Sequence, residues 1–293
     1  MADAAGNRGR RLIIVSGLSG AGKSQVLNTL EDLDFFCIDN LPISLFNQLT
    51  GLLIEANNNF PANVAVGIDA RSPEKDLSPL PDSIKSLRSK GVYTELVFME
   101  AGKSVLTTRF GETRRKHPLS TSELPLTDAI DRERQVLGFL SDMADLHIDT
   151  SHTSIHELRD IVRQRLAKRP AGALSLQFIS FGYKHGVPRD ADFLFDLRCL
   201  PNPYWQKDLR DLSGKDAAVR EFLSAAPAVA EMNDNIKTFL EKWLPLFEAE
   251  NRSYLCIAIG CTGGRHRSVY MVEELSKHFR NMEKYVVTRH RDL

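Results

Sequence analysis

Two periods of apolar spacing alternate along this 293-residue chain. Short apolar runs at 12–16, 35–38, 64–68, 94–99 and 147–149 predict β-strands. The stretches between and after them, 42–57, 82–90, 103–116, 128–145 and 154–168, carry the three-to-four-residue spacing of amphipathic helices. That alternation predicts βαβ units and a mainly parallel sheet covered by helices over residues 11–168. The segment R-P-A-G-A at 169–173 reads as a linker, and residues 1–10 as a mobile tail. A second α/β set follows over 174–293. It has strands at 174–180, 254–259 and 284–288 and helices at 229–248 and 266–281. The stretch 182–214 is rich in turn residues and reads as irregular, the kind of segment that carries a site. The expected fold class is thus α/β, in two domains.

Composition narrows the picture by exclusion. Lys+Arg 38 balances Asp+Glu 38, so any polyanionic partner must be met by a local patch and not by net charge. No apolar run is long enough to span a bilayer, and the first ten residues lack a signal-peptide core. The expectation is a cytoplasmic protein without a membrane partner. The four cysteines, Cys37, Cys199, Cys256 and Cys261, form no C-x-x-C pair, which argues against a structural zinc site. Cys37 and Cys256 fall in strand runs and read as small apolar core residues.

The strongest chemical signal is Gly17-Leu18-Ser19-Gly20-Ala21-Gly22-Lys23-Ser24, an uninterrupted G-x-x-x-x-G-K-S. Between a strand and a helix start, this spacing builds a loop whose backbone N–H groups face phosphate oxygens. Lys23 would reach the β- and γ-phosphates, and the Ser24 hydroxyl would hold Mg²⁺. The first domain is therefore expected to be a P-loop NTPase domain. Asp69, after the apolar run from Val64, is a candidate Mg²⁺ carboxylate or else the start of a turn. Asp39 and Asn40 either orient a water or acceptor near the γ-phosphate or cap the helix that opens at Pro42. Arg109, Arg114 and Arg115, with Lys116 and His117, form a basic cluster that reads as a phosphate-neutralising lid or as a solvated helix face.

In the second domain Cys261-Thr262-Gly263-Gly264-Arg265-His266-Arg267-Ser268 follows an apolar strand and opens a helix, a second anion cradle on the same physics. The octapeptide also fits C-x-x-G-x-x-R-[ST], the loop of cysteine-dependent phosphatases, with Cys261 as nucleophile and Arg267 as clamp. Gly260 stands where those enzymes usually have His, and no general-acid Asp can be assigned.

The loop at 17–24, Cys37-Ile38-Asp39-Asn40-Leu41-Pro42, Ile68-Asp69-Ala70-Arg71-Ser72 and Thr113-Arg114-Arg115-Lys116-His117-Pro118-Leu119 together resemble the RapZ (YvcJ-like) nucleotide-binding proteins of bacteria. So do Ser180-Phe181-Gly182-Tyr183-Lys184-His185-Gly186, Leu200-Pro201-Asn202-Pro203 and the stretch 260–270. The resemblance implies ATP at Gly17, Leu18, Ser19, Gly20, Ala21, Gly22, Lys23 and Ser24, GTP contacts at Asp69, Ala70, Arg71 and Ser72, and slow hydrolysis of both with Mg²⁺. It implies a sugar-phosphate pocket at Cys261, Thr262, Gly263, Gly264 and Arg267 that regulates a partner. Enteric relatives are adaptors that present small RNAs to a ribonuclease, and a homo-oligomer is the expected assembly. Two departures stand out. The Lys/Arg-rich tail of the RNA-binding relatives is missing after Arg289-His290-Arg291, and Tyr204 stands where relatives often have His. From Gly263 onward seven Lys+Arg face four Asp+Glu, a modest basic surface that weakens RNA binding without forbidding it. A small-molecule P-loop kinase is the remaining alternative.

Overall fold

The computed structural model describes residues 9–55, 60–70, 77–113, 115–167, 174–250, 252–282 and 284–293. Most of the tail, Arg71 and Ser72 of the expected GTP contacts, Arg114 and the linker lie outside the described residues. The chain divides into two compact units, residues 1–168 and 169–293.

The first unit is a five-stranded parallel sheet. Its strands are β1 (Arg11–Gly17), β2 (Phe36–Ile38), β3 (Asn63–Gly67), β4 (Tyr93–Glu100) and β5 (Leu146–Asp149), in the order β2-β3-β1-β4-β5. Helices α1 (Lys23–Glu31), α2 (Ile43–Ile54), α3 (Leu80–Ser89), α4 (Lys103–Thr113), α5 (Leu126–Val136), α6 (Gly138–Met143) and α7 (Ile155–Val162) connect and cover it. The unbroken Leu12-Ile13-Ile14-Val15 run is fully buried because β1 is central and covered on both faces. Leu12 and Ile14 meet Phe46, Leu49 and Leu53 of α2 and Leu80, Ile84 and Leu87 of α3. By strand alternation Ile13 and Val15 face the opposite side.

The second unit is a four-stranded parallel sheet of β6 (Ser175–Gly182), β7 (Phe193–Asp196), β8 (Tyr254–Cys261) and β9 (Tyr285–His290), ordered β7-β8-β6-β9. Phe178, Leu255, Ile257 and Ile259 pack with Leu223 of α8 (Ala217–Ser224), Ile236 and Leu240 of α9 (Pro227–Ala249), and Leu275 and Phe279 of α10 (Arg267–Asn281).

The α/β class and parallel sheets are those expected, and three details differ. The expected helix at 128–145 is two helices, broken at Leu137. The helix opening at Lys103 stops at Thr113, short of 116. The stretch 182–214 is not wholly irregular. It contains β7, an edge strand whose Phe193 and Phe195 are half-buried while Leu194 and Asp196 are exposed, an alternation too short to stand out.

Candidate functional site

The G-x-x-x-x-G-K-S turn leaves the carboxyl end of β1, between β3 and β4, and runs into α1. Gly17 is required by space as well as conformation. Its φ is +132°, and a Cβ there would lie 2.0 Å from the Met99 carbonyl oxygen. Gly20 and Gly22 also have positive φ. Leu18 N–H donates to Met99 O at 2.9 Å, tying the loop to β4.

The loop carbonyls are held from behind. The Lys23 ammonium donates to Gly17 O at 2.6 Å. Arg109 of α4 donates to Gly20 O at 3.0 Å and to Thr150 Oγ1 and O at 3.0 and 2.7 Å. Thr150, just past β5, donates its hydroxyl to Ala21 O at 2.9 Å. A trans peptide points its C=O and N–H in opposite directions, so the hold on Ala21 O turns the Gly22 N–H away from Thr150. Among the described residues nothing accepts from the amides of Gly20, Gly22 or Ser24. These amides open onto the positive end of α1, where an anion is favoured by both the dipole and the unpaired donors.

Ser19 is gripped differently. Its N–H donates to Glu133 Oε2 at 2.8 Å and its hydroxyl to Glu133 Oε1 at 2.6 Å. His117 Nε2 lies 3.1 Å from Glu133 Oε2, and His117 Nδ1 accepts from Leu119 N–H at 3.1 Å. With Nδ1 an acceptor, Nε2 carries the proton and donates to the carboxylate. Burial pushes the Glu133 carboxyl up, but the hydrogen bonds from His117 and Ser19 and the charge of Lys23 outweigh it and hold the group below its ordinary value.

Of the residues expected at this site, Ser24 is exposed in the first turn of α1. Asp69 is 7% exposed and stands two residues past the carboxyl end of β3, the neighbour of β1; Ala70 joins the core. Asp39 lies over Gly67, where a Cβ would meet its Oδ1 at 2.9 Å. Neither Asp39 nor Asn40 caps α2, whose N-cap is Pro42 without a side-chain bond. Arg109 is neither lid nor solvated face, because its guanidinium is spent on Gly20 and Thr150. Arg115 and Lys116 are exposed, and His117 is buried. Glu133 and Thr150 were absent from the expected set. The signal for Glu133 was available: it shares the buried stripe Ala129, Ile130, Val136 of α5, and a carboxylate on an apolar stripe needs a polar partner.

The glycine turn of the second unit follows β8 in the same relation, strand end to α10. Glycine at 182 and 264 is set by close approach, since a Cβ at Gly182 would lie 2.5 Å from Gly263 C and one at Gly264 2.7 Å from Gly182 N. The three basic residues of the turn are occupied. Arg265 donates to Asp211 O and Leu212 O, and His266 Nε2 sits 3.1 Å from Leu209 O. Arg267, 4% exposed, donates to the carbonyls of Arg198 and Leu200 at 3.1 and 2.9 Å, with Thr262 Oγ1 at 3.4 Å. Its buried Nε has no partner. Cys261 is 3% exposed, with its thiol 3.1 Å from Ser268 Oγ. At the rim stand Thr262, Lys184 and Arg198, all exposed, with Arg198 stacked 3.9 Å over the Tyr183 ring.

A glycine-rich phosphate turn on the central strand of a 2-3-1-4-5 parallel sheet defines a P-loop domain, here followed by a second parallel α/β unit. Residues 10–169 match the RapZ-like N-terminal domain and residues 174–293 the RapZ C-terminal domain, and the chain belongs to this RapZ-like family. A "Nucleotide-binding protein" of Alkalilimnicola ehrlichii is 50% identical over 97% of this chain and 98% of its own. Another, of Nitrosococcus oceani, is 48% identical over 97% and 99%. Among solved structures, the YorR protein of Bacillus subtilis in complex with phosphorylated GDP is similar at a TM-score of 0.35 and 18% identity, over 52% of this chain and 92% of that one. No helix among the described residues is long and apolar enough to cross a membrane.

Proposed function

We propose that the first unit binds ATP or GTP with Mg²⁺ and hydrolyses it slowly, and that the second unit reads a sugar phosphate and regulates a partner. The observation that carries the first half is the set of unpaired amides at Gly20, Gly22 and Ser24, backed by loop carbonyls that Lys23, Arg109 and Thr150 hold. A loop with its acceptors tied back and donors exposed suits the phosphates of a nucleotide. On phosphate entry Lys23 would exchange Gly17 O for β- and γ-phosphate oxygens. Ser24 and Asp69 would hold Mg²⁺ with the phosphates, and the ion when bound would neutralise developing charge on the transferred group. Hydrolysis would rest on positioning more than on a dedicated base, in keeping with a slow regulatory turnover. The relatives' printed name, nucleotide-binding protein, agrees with this reading.

Fluorescent ATP and GTP analogues titrated with Mg²⁺ test it. Lys23→Ala should abolish binding and hydrolysis, and full retention would remove the loop from the mechanism.

For the second unit, the amides of Gly263 and Gly264 at a helix start, the unpartnered Nε of Arg267 and the exposed Lys184 support a phosphorylated ligand. Calorimetric titration with glucosamine-6-phosphate and a panel of other sugar phosphates tests this half. An RNA-binding adaptor is favoured as a second reading by one feature. Trp205 is 77% exposed beside Tyr204, over whose ring Arg210 stacks at 4.9 Å, a surface on which unpaired bases could stack. RNA binding that weakens with salt and on Trp205→Ala would support it.

A further inference from the structure

Glu133 and His117 are side chains with 0% exposure, yet they form a closed polar chain that ends on the phosphate loop. The two carboxylate oxygens take three hydrogens, from Ser19 N, Ser19 Oγ and His117 Nε2. The imidazole is fixed in turn by Leu119 N–H. Burying an ion costs stability even when it is well paired, and an apolar residue of similar volume does a purely structural task at lower cost. The stripe around Glu133 is otherwise Ala129, Ile130 and Val136, so an apolar residue would simply complete it. What an apolar residue cannot do is hold the Ser19 amide.

That hold has a directional consequence. Leu18 N–H is taken by Met99 O and Ser19 N–H by Glu133, while among the described residues nothing takes the amides of Gly20, Gly22 and Ser24. Pinning the Ser19 peptide fixes the backbone that leads directly into those three free donors. The carboxylate also sets the position of His117, and with it the exposed Arg115 and Lys116 immediately before it.

We propose that Glu133 and His117 are a positioning pair for the nucleotide, setting the phosphate affinity of the loop through the orientation of the Ser19 peptide. The proposal rests on nucleotide binding at Gly17 to Ser24. Because the Ser19 peptide supports the grip on phosphate in ground state and transition state alike, while Lys23, Ser24 and Asp69 that position the reacting group stay in place, loosening it raises KM and leaves kcat unchanged.

The test is steady-state hydrolysis of Mg²⁺-ATP and Mg²⁺-GTP by the full chain, with direct analogue titration. Wild type, Lys23→Ala, Glu133→Gln, His117→Leu and His117→Gln are compared. Glu133→Gln can keep a carbonyl oxygen on Ser19 N–H and His117 Nε2–H only with its NH2 on Ser19 Oγ, so the hydroxyl bond must reverse and all three bonds lose the help of the negative charge; it should raise KM and the analogue Kd about ten-fold at constant kcat. His117→Leu should do the same more weakly. His117→Gln keeps an N–H donor and should restore KM to within about two-fold of wild type. A merely structural pair gives the opposite split: kcat per total protein falls with the folded fraction while KM stays put. That split, or wild-type KM in both Glu133→Gln and His117→Leu, overturns the proposal. Should Glu133→Gln not fold, the contrast between His117→Leu and His117→Gln decides it. Wild type that binds no nucleotide, or Lys23→Ala that binds it fully, overturns the nucleotide reading itself and the positioning role with it.

Discussion

Glu133 and Arg267 are both buried charges on short polar leashes, and their substitution has consequences beyond any ligand. The Glu133 carboxyl has an ordinary value of 4.5 and lies below it in the folded chain. A carboxyl depressed on folding contributes stability that is full above its unfolded value and is lost as pH falls towards the folded one. Urea midpoints between about pH 6 and pH 3 should therefore fall more steeply in wild type than in Glu133→Gln, which has no proton to take up at that position. Arg267 holds the carbonyls of Arg198 and Leu200. Arg267→Ala would leave them unsatisfied in a buried place, at a cost of roughly 3 kcal/mol. A lower melting temperature of the second unit, with no ligand present, checks this. Loss of sugar-phosphate binding in that variant would not identify a ligand contact. Lys184→Ala is the better probe, because Lys184 is exposed. The motif reading named Arg267 as an anion clamp from spacing alone; that its Nη1 meets carbonyls from residues about 70 positions away is long-range information that spacing does not carry.

At the scale of elements, legibility followed burial symmetry. β8 is buried along its whole length and β1 from Leu12 onward, and their apolar runs marked them without structural help. β7 is an edge strand with one wet face and four residues, so F-L-F-D looked like part of a turn-rich stretch. The break at Leu137 inside an otherwise helical pattern was hidden because Val136, Leu137 and Leu140 are all buried and keep the apolar spacing across it. The P-loop was legible because its glycines answer to local geometry. Gly17 shows how strict that geometry is. Gly17→Ala combines an unfavourable φ with a Cβ 2.0 Å from Met99 O, and neither the β1–β4 register nor the Leu18–Met99 bond can give way without the other. The expected outcome is a loss of roughly 2–4 kcal/mol of stability with nucleotide binding abolished in the folded fraction. Gly51 sits in α2 with open space around it, and Gly51→Ala should be neutral or slightly stabilising in the same denaturation measurement.

At the scale of the whole molecule, two units with separate sheets and separate cores share one chain, and a different family model matches each. Binding a ligand to one native unit stabilises that unit by mass action, by about 2.7 kcal/mol at a hundred-fold excess over Kd. For a unit of this size that corresponds to a rise in melting temperature of roughly 5–10 °C. If the units unfold independently, Mg²⁺-ATP should move one calorimetric transition and leave the other in place, and Lys23→Ala should abolish only that shift. A sugar phosphate that occupies the second unit should move the other transition, with Lys184→Ala reducing the effect. A single transition that rises with either ligand would mean that the units unfold as one cooperative block. Each ligand would then stabilise both units against unfolding. Two independent transitions would instead mean that each ligand stabilises its own unit alone. Differential scanning calorimetry of the full chain with each ligand, and with both, separates these two designs.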